Sequence, residues 1–197
     1  MLLMAFAMAS AFQAPINFCH KEKWYSSLEE DEFQEISLKL IEAAPEAVGD
    51  FEAIINDPDA SPLHMLRLYY VLGKSKVDHK RFLKSALRDL NHAQAIVRDG
   101  AATFAGNVGG GPEFSAPLLM MMLHDPDASA GCAAHIALGK IGDAGTVVAF
   151  EHMIRFGTGK PETPERTAAV TKAFTATRDQ IKARLAAAAK AAPAPPK

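Results

Sequence analysis

A chain of 197 residues, 49% hydrophobic and 22% charged, can bury one sizeable core, and this balance excludes a disordered chain. A formal net charge of −2 excludes the global basic field that draws nucleic acid. Two cysteines, Cys19 and Cys132, exclude a disulfide framework and a cysteine-based zinc site. The expectation is two free thiols, Cys132 buried among alanines; a single bridge is the alternative for an exported protein.

Residues 1–14, MLLMAFAMASAFQA, are apolar with small residues towards their end. Ala9-Ser10-Ala11 and Phe12-Gln13-Ala14 place small residues where a signal peptidase could cut, which reads as a secretion signal. The competing reading is a packed N-terminal helix of a cytoplasmic protein, because no Lys or Arg precedes a run that is also short. No other run reaches the roughly 18 apolar residues that cross a bilayer. Residues 15–26 read as a connector, in which Trp24-Tyr25 is an amphipathic pair expected to pack over the first helices.

Residues 27–185 then read as helices throughout. Ser27-Leu28-Glu29-Glu30 fits a capping box ahead of the apolar positions Phe33, Ile36, Leu40 and Ile41. Pro45 is expected to end that helix and open the next, giving helices over about 27–44 and 46–56 as a first hairpin. Ser61 and Pro62 suit the cap and first position of a third helix, through Tyr69 and Leu72 to Gly73. The next, about 79–90, carries Phe82, Leu83, Ala86 and Leu87 on one side and Lys80, Lys84 and Arg88 on the other, with Arg81 beside them. Asn91 is expected to cap a helix ending at Gly106. Gly109-Gly110-Gly111 is a loop, and Pro112 opens the partner helix. Asp125-Pro126-Asp127 turns into a small-residue helix ending at Gly139, and Asp143 begins its partner. Thr163-Pro164 caps a last helix with Val170, Phe174, Ile181 and Leu185 as its stripe. The tail 186–197 is expected to be disordered.

Two punctuation marks share one period. Asp57-Pro58-Asp59-Ala60-Ser61 recurs as Asp125-Pro126-Asp127-Ala128-Ser129, 68 positions on, with Asn91 midway; Gly73, Gly106 and Gly139 stand 33 apart. A repeat near 34 residues marks an all-α solenoid of stacked antiparallel hairpins, about four plus a C-terminal helix. Tetratricopeptide marks are absent, and the ankyrin-like Ser61-Pro62-Leu63-His64 does not recur.

Three segments resemble short bacterial HEAT-like repeats: Ala116-Pro117-Leu118-Leu119 with Leu123-His124-Asp125-Pro126-Asp127; Ala137-Leu138-Gly139-Lys140-Ile141-Gly142-Asp143; and Asn91 through Val97-Arg98 to Ala101. The resemblance spans about residues 57–155. Arg98 has no counterpart in the other copies, although the family often places an Arg there. The resemblance implies a binding scaffold whose second helices line a groove.

No cofactor is expected from the side chains. Seven histidines form neither HExxH nor a paired helix set, and His135 and His124 read as a core-edge and a helix-end residue. The glycine triplet lacks the strand and Lys-Ser/Thr of a phosphate loop. No nucleophile–base signature is present. The most informative polar feature is the basic stripe Lys80, Arg81, Lys84 and Arg88 in a segment, 61–92, of net charge +5. It points to a protein or acidic-peptide partner, set against an ordinary solvated face. The second helices near 112–123 and 143–155 are not basic, which argues against a nucleic-acid track. The function expected is therefore a non-enzymatic interaction scaffold. The alternatives are a HEAT-like enzyme or ligand-handling protein with a lyase-like site, and a structural subunit of a larger assembly.

Overall fold

Apolar residues recurring every three or four positions produce helices along the whole of the described chain. The computed structural model describes residues 27–159 and 163–191, with side chains from 37 onward except 39. The signal-like segment, the connector with Cys19, His20 and Trp24-Tyr25, the capping-box side chains at 27–30 and the last six residues lie outside the described set. Eight α-helices and one 3-10 turn are found, with no strand among the described residues. The helices are α1 (Ser27–Ile55), α2 (Pro62–Lys74), α3 (Lys80–Asp89), α4 (Ala95–Val108), α5 (Ser115–His124), α6 (Ala128–Ile141), α7 (Ala144–Phe156) and α8 (Pro164–Ala191). None of the described helices is long and apolar enough to cross a membrane. The chain divides into two units, Met1–Ser85 and Ala86–Lys197, with α3 running across the division.

In the first unit, α1 corrects the sequence expectation. One helix of 29 residues replaces the hairpin predicted over 27–56, with Pro45 inside it. An interior proline costs about 3 kcal/mol because a backbone donor is lost. The stripe Ala44, Ala47, Phe51 and Ile55 offsets this: all four are buried, and their spacing keeps helical phase through the proline, whose own ring is exposed. This face packs on α2, which contributes Met65, Leu68, Tyr69, Val71 and Leu72 to the core.

In the second unit, α6 is the central element and packs against α4, α5 and α8. Its buried face is small: Ala130, Ala133, Ala134, Ala137 and Leu138. Small side chains let backbones approach. A methyl at Gly106 of α4 would stand 2.9 Å from the Ala137 Cα, so only glycine fits there. Two side-chain bonds fix the register at either end of this pair: Ser129 Oγ donates to Asp99 at 2.7 Å and Lys140 Nζ to Asn107 Oδ1 at 2.7 Å. The other wall of α6 meets α8, where a methyl at Gly139 would stand 3.1 Å from Gln180 Oε1.

The period-33 glycines are therefore not helix stops. Gly73, Gly106 and Gly139 all lie inside the last turn of their helices. For the latter two the repeated feature is the close approach of a neighbouring helix. The stop after α4 is Gly109, whose φ of 77° is left-handed; its N–H returns to the Ala105 carbonyl. Other expectations also shift. The residue preceding α4 is Gln94, without a side-chain cap, rather than Asn91. Pro112 opens a 3-10 turn that leads into α5. On α7, Val147 and Phe150 are buried while the apolar Val148 is 64% exposed. α8 continues past 185 to Ala191, because alanines propagate a helix at least cost and Lys190 suits its last turn. Asp143 caps α7 as expected: it accepts from Thr146 N at 2.8 Å while Thr146 Oγ1 accepts from Asp143 N at 3.2 Å. Thr163 likewise accepts from Arg166 N at 3.3 Å at the start of α8.

Candidate functional site

Helix α3 sets Phe82 and Ala86 inward, both fully buried, and so turns its basic positions outward. Its four cations are not equivalent. Arg81 forks onto Glu52 of α1, with Nε to Oε1 at 2.7 Å and Nη2 to Oε2 at 2.6 Å. Arg88 holds its neighbour Asp89 through Nε at 2.6 Å and Nη2 at 3.1 Å, and Asp89 is buried. Lys80 and Lys84 are exposed, and among the described residues neither ammonium has a hydrogen-bond or ion-pair partner. Lys76, just before the helix, is exposed as well. The predicted stripe thus resolves into two internally held arginines and a run of uncommitted lysines.

The second polar construction was not predicted as a pair. Arg98 on α4 and Asp125 at the corner before α6 lie 27 residues apart and meet in a two-bond fork, Nε to Oδ2 and Nη2 to Oδ1, each 2.6 Å. Their side chains are only 12% and 3% exposed. The third guanidinium nitrogen donates to the His92 carbonyl at 2.7 Å and the Ala93 carbonyl at 3.0 Å. Asp125 also accepts from Asp127 N at 2.9 Å, and Asp127 caps α6 by accepting from Ala130 N at 3.0 Å. The Arg98 bonds hold the Asp125 carboxyl below the usual carboxylate range and raise the guanidinium in return. The sequence signal for this clamp was positional: Arg98 follows Asn91 as His64 follows Asp57 and Cys132 follows Asp125, and only the middle copy carries an arginine.

The clamped corner separates two grooves of the second unit. One, of about 590 Å³, is lined by His92, Arg98, Pro117, Met120, His124 and Asp125, with Met120 59% exposed. The other, of about 390 Å³, opens between the first halves of α6 and α8 and includes Asp127, Cys132, His135, Arg166, Val170 and Phe174. Cys132 is exposed on this cleft, not buried among alanines as expected, because α6 turns positions 130, 133, 134 and 137 inward and leaves 132 at the edge. His135 is half-buried as expected. Its Nε2 shares a proton with Thr177 Oγ1 at 2.7 Å, and its ring stands edge-on to Phe174 at 5.5 Å and tilted to Phe150 at 5.7 Å. Burial lowers its pKa and so favours the neutral ring.

Among the described residues, no group of three His, Cys, Asp or Glu side chains could hold a metal ion. Chemically, the two regions offer charge recognition on α3 and a small mixed cleft beside α6. In comparisons with known proteins, no family model, no curated protein and no solved structure matches the chain.

Proposed function

We propose that the chain is a non-enzymatic interaction module of HEAT-like helical repeats, and that it holds an acidic peptide against α3. The observation that carries this is the division of labour on that helix. Arg81 and Arg88 spend their charge on Glu52 and Asp89, whereas Lys80 and Lys84 face solvent uncommitted. Two ammonium groups one turn apart, with Lys76 upstream, match carboxylates spaced along an extended or helical peptide. The stacked-repeat architecture is supported by the repeated corner, by α6 packing between α4 and α8, and by Gly106 and Gly139 meeting the next helix at equivalent positions.

Fluorescence anisotropy with a labelled glutamate-rich peptide tests the reading. Lys80→Glu with Lys84→Glu is expected to weaken binding about tenfold or more, near 1.4 kcal/mol, and added salt to weaken it for the unaltered protein. Equal affinity of the variant and the unaltered protein would sink the α3 site. A second reading, a ligand-handling domain, is favoured by the cleft that gathers Cys132, His135 and Arg166. Protection of Cys132 from thiol alkylation by a small-molecule library would support it over the first.

A further inference from the structure

We propose that the α8 helix is a docked element released by acid, with His135 as its latch. The geometry sets α8 apart. It is 28 residues long, yet its buried side chains are only Phe174 and Ile181. Thr177 bonds His135, Gln180 sits beside Gly139, Lys182 meets Glu151 at 2.5 Å, and Arg184 donates to the Gly142 carbonyl. The Lys182 pair is exposed, so it holds weakly. From α6, His135 reaches both α7 and α8. It bonds Thr177 on α8 while its ring closes a three-ring cluster with Phe150 of α7 and Phe174 of α8, themselves 5.2 Å apart and edge-on.

The Thr177 bond can persist on a charged ring, but the partly buried site favours the neutral imidazole. A proton on the ring places a charge on a half-buried group among aromatic rings, a desolvation cost borne by the docked state and not by the undocked one. The surrounding charges do not cancel that cost. In the shared cleft stand Asp125, Asp127, Cys132 and Arg166. Asp125 is committed to Arg98, and Asp127 to the α6 backbone. On the helices packed against it, Glu151 of α7 is paired with Lys182, and Arg178 with Asp179. Burial accordingly dominates and depresses the imidazole pKa. The sign follows: a group depressed in the docked state contributes stability that is complete above the ordinary imidazole value, about 6.5, and is lost as pH falls towards the depressed value. The cleft beside His135 opens to solvent, which gives the proton its route.

Hydrogen exchange read as protection factors, which removes the intrinsic pH dependence of exchange, tests this on the full chain. Between pH 7.5 and 5, amides of residues 166–181 are expected to lose protection by up to about tenfold per pH unit below 6.5, with those of α4 unchanged. His135→Gln, which keeps a donor for Thr177 and cannot titrate, is expected to flatten that dependence. Unchanged protection of α8 across this range overturns the proposal, and so does a His135→Gln variant that keeps the wild-type slope. Should that variant fail to fold, the His135 ring proton resonances of the wild-type chain decide. Titration below 6.5 in step with α8 resonances supports the latch, and titration at or above 6.5, or out of step, overturns it.

Discussion

The pentapeptide Asp-Pro-Asp-Ala-Ser occurs twice and opens with the same side-chain-to-backbone bond both times. Asp59 N donates to Asp57 Oδ1 at 2.9 Å, and Asp127 N donates to Asp125 Oδ1 at 2.9 Å. Beyond that bond the two corners part. Asp57 is exposed, whereas Asp125 is buried against Arg98. The residue that stands 27 positions before Asp57, as Arg98 stands before Asp125, is Glu30. The helices also start differently. Asp127 caps α6 through the Ala130 N–H, so that helix begins at Ala128. The residue at the matching place in the first corner is Pro62, which has no N–H to offer, so α2 begins two residues later with Ser61 before it and no side-chain cap bond. The identical residues dictate the opening bond; one residue upstream and one downstream decide what the corner supports.

The largest break in this comparison comes from the clamp. Asp125→Ala leaves a buried guanidinium unpaired and is expected to cost about 3–5 kcal/mol in urea denaturation, against about 0.5 kcal/mol or less for Asp57→Ala. Equal losses would mean the fork contributes nothing. The same pair gives the second corner an acid sensitivity of its own. With its pKa depressed by Arg98, Asp125 contributes stability above the ordinary carboxylate value of about 3.9, and that contribution fades as pH falls towards the depressed value. The Asp125→Ala chain is therefore expected to show a shallower loss of stability below pH 4 than the wild type. Next in size is the cap: Asp127→Ala is expected to cost about 1 kcal/mol and Asp59→Ala a few tenths. The smallest effect comes from Pro62→Ala, which supplies the missing N–H. Cap gain and lost proline rigidity nearly offset, within about 1 kcal/mol, but backbone chemical shifts are expected to show α2 starting at Ala60. An unmoved start at residue 62 rejects the account of the two caps.

What could be read from the residues alone was local chemistry. Asp143, Thr163 before Pro164, and Ser61 before Pro62 mark helix starts by short-range rules, and the structure places helices there. The failures at Pro45 and Gly106 share a cause: each depended on a partner distant in sequence. Pro45 looks like a break until the buried stripe on both sides of it is seen to pack on α2. Gly106 looks like a stop until Ala137 is found against it. In the candidate site, the basic face of α3 was legible because it lies on one helix. That Arg81 belongs to Glu52 was not, since nothing in the period links positions 29 apart. Arg98 was noticed as an exception within the repeat, and Asp125 as a turn former, but their meeting required the fold.

The small-residue face of α6 has an entropic consequence. Ala130, Ala133, Ala134 and Ala137 surrender no rotamer freedom on burial, so ordering this helix costs little in its side chains. Gly131 and Gly139 reverse the balance in the backbone, each losing roughly 0.5–1 kcal/mol more than alanine would. With so little apolar area of its own and two glycines, the segment is a poor helix in isolation at 14 residues. Its order is borrowed from α4, α5 and α8. The middle of the second unit is thus conditional structure: a peptide cut from 128–141 would be coil in water.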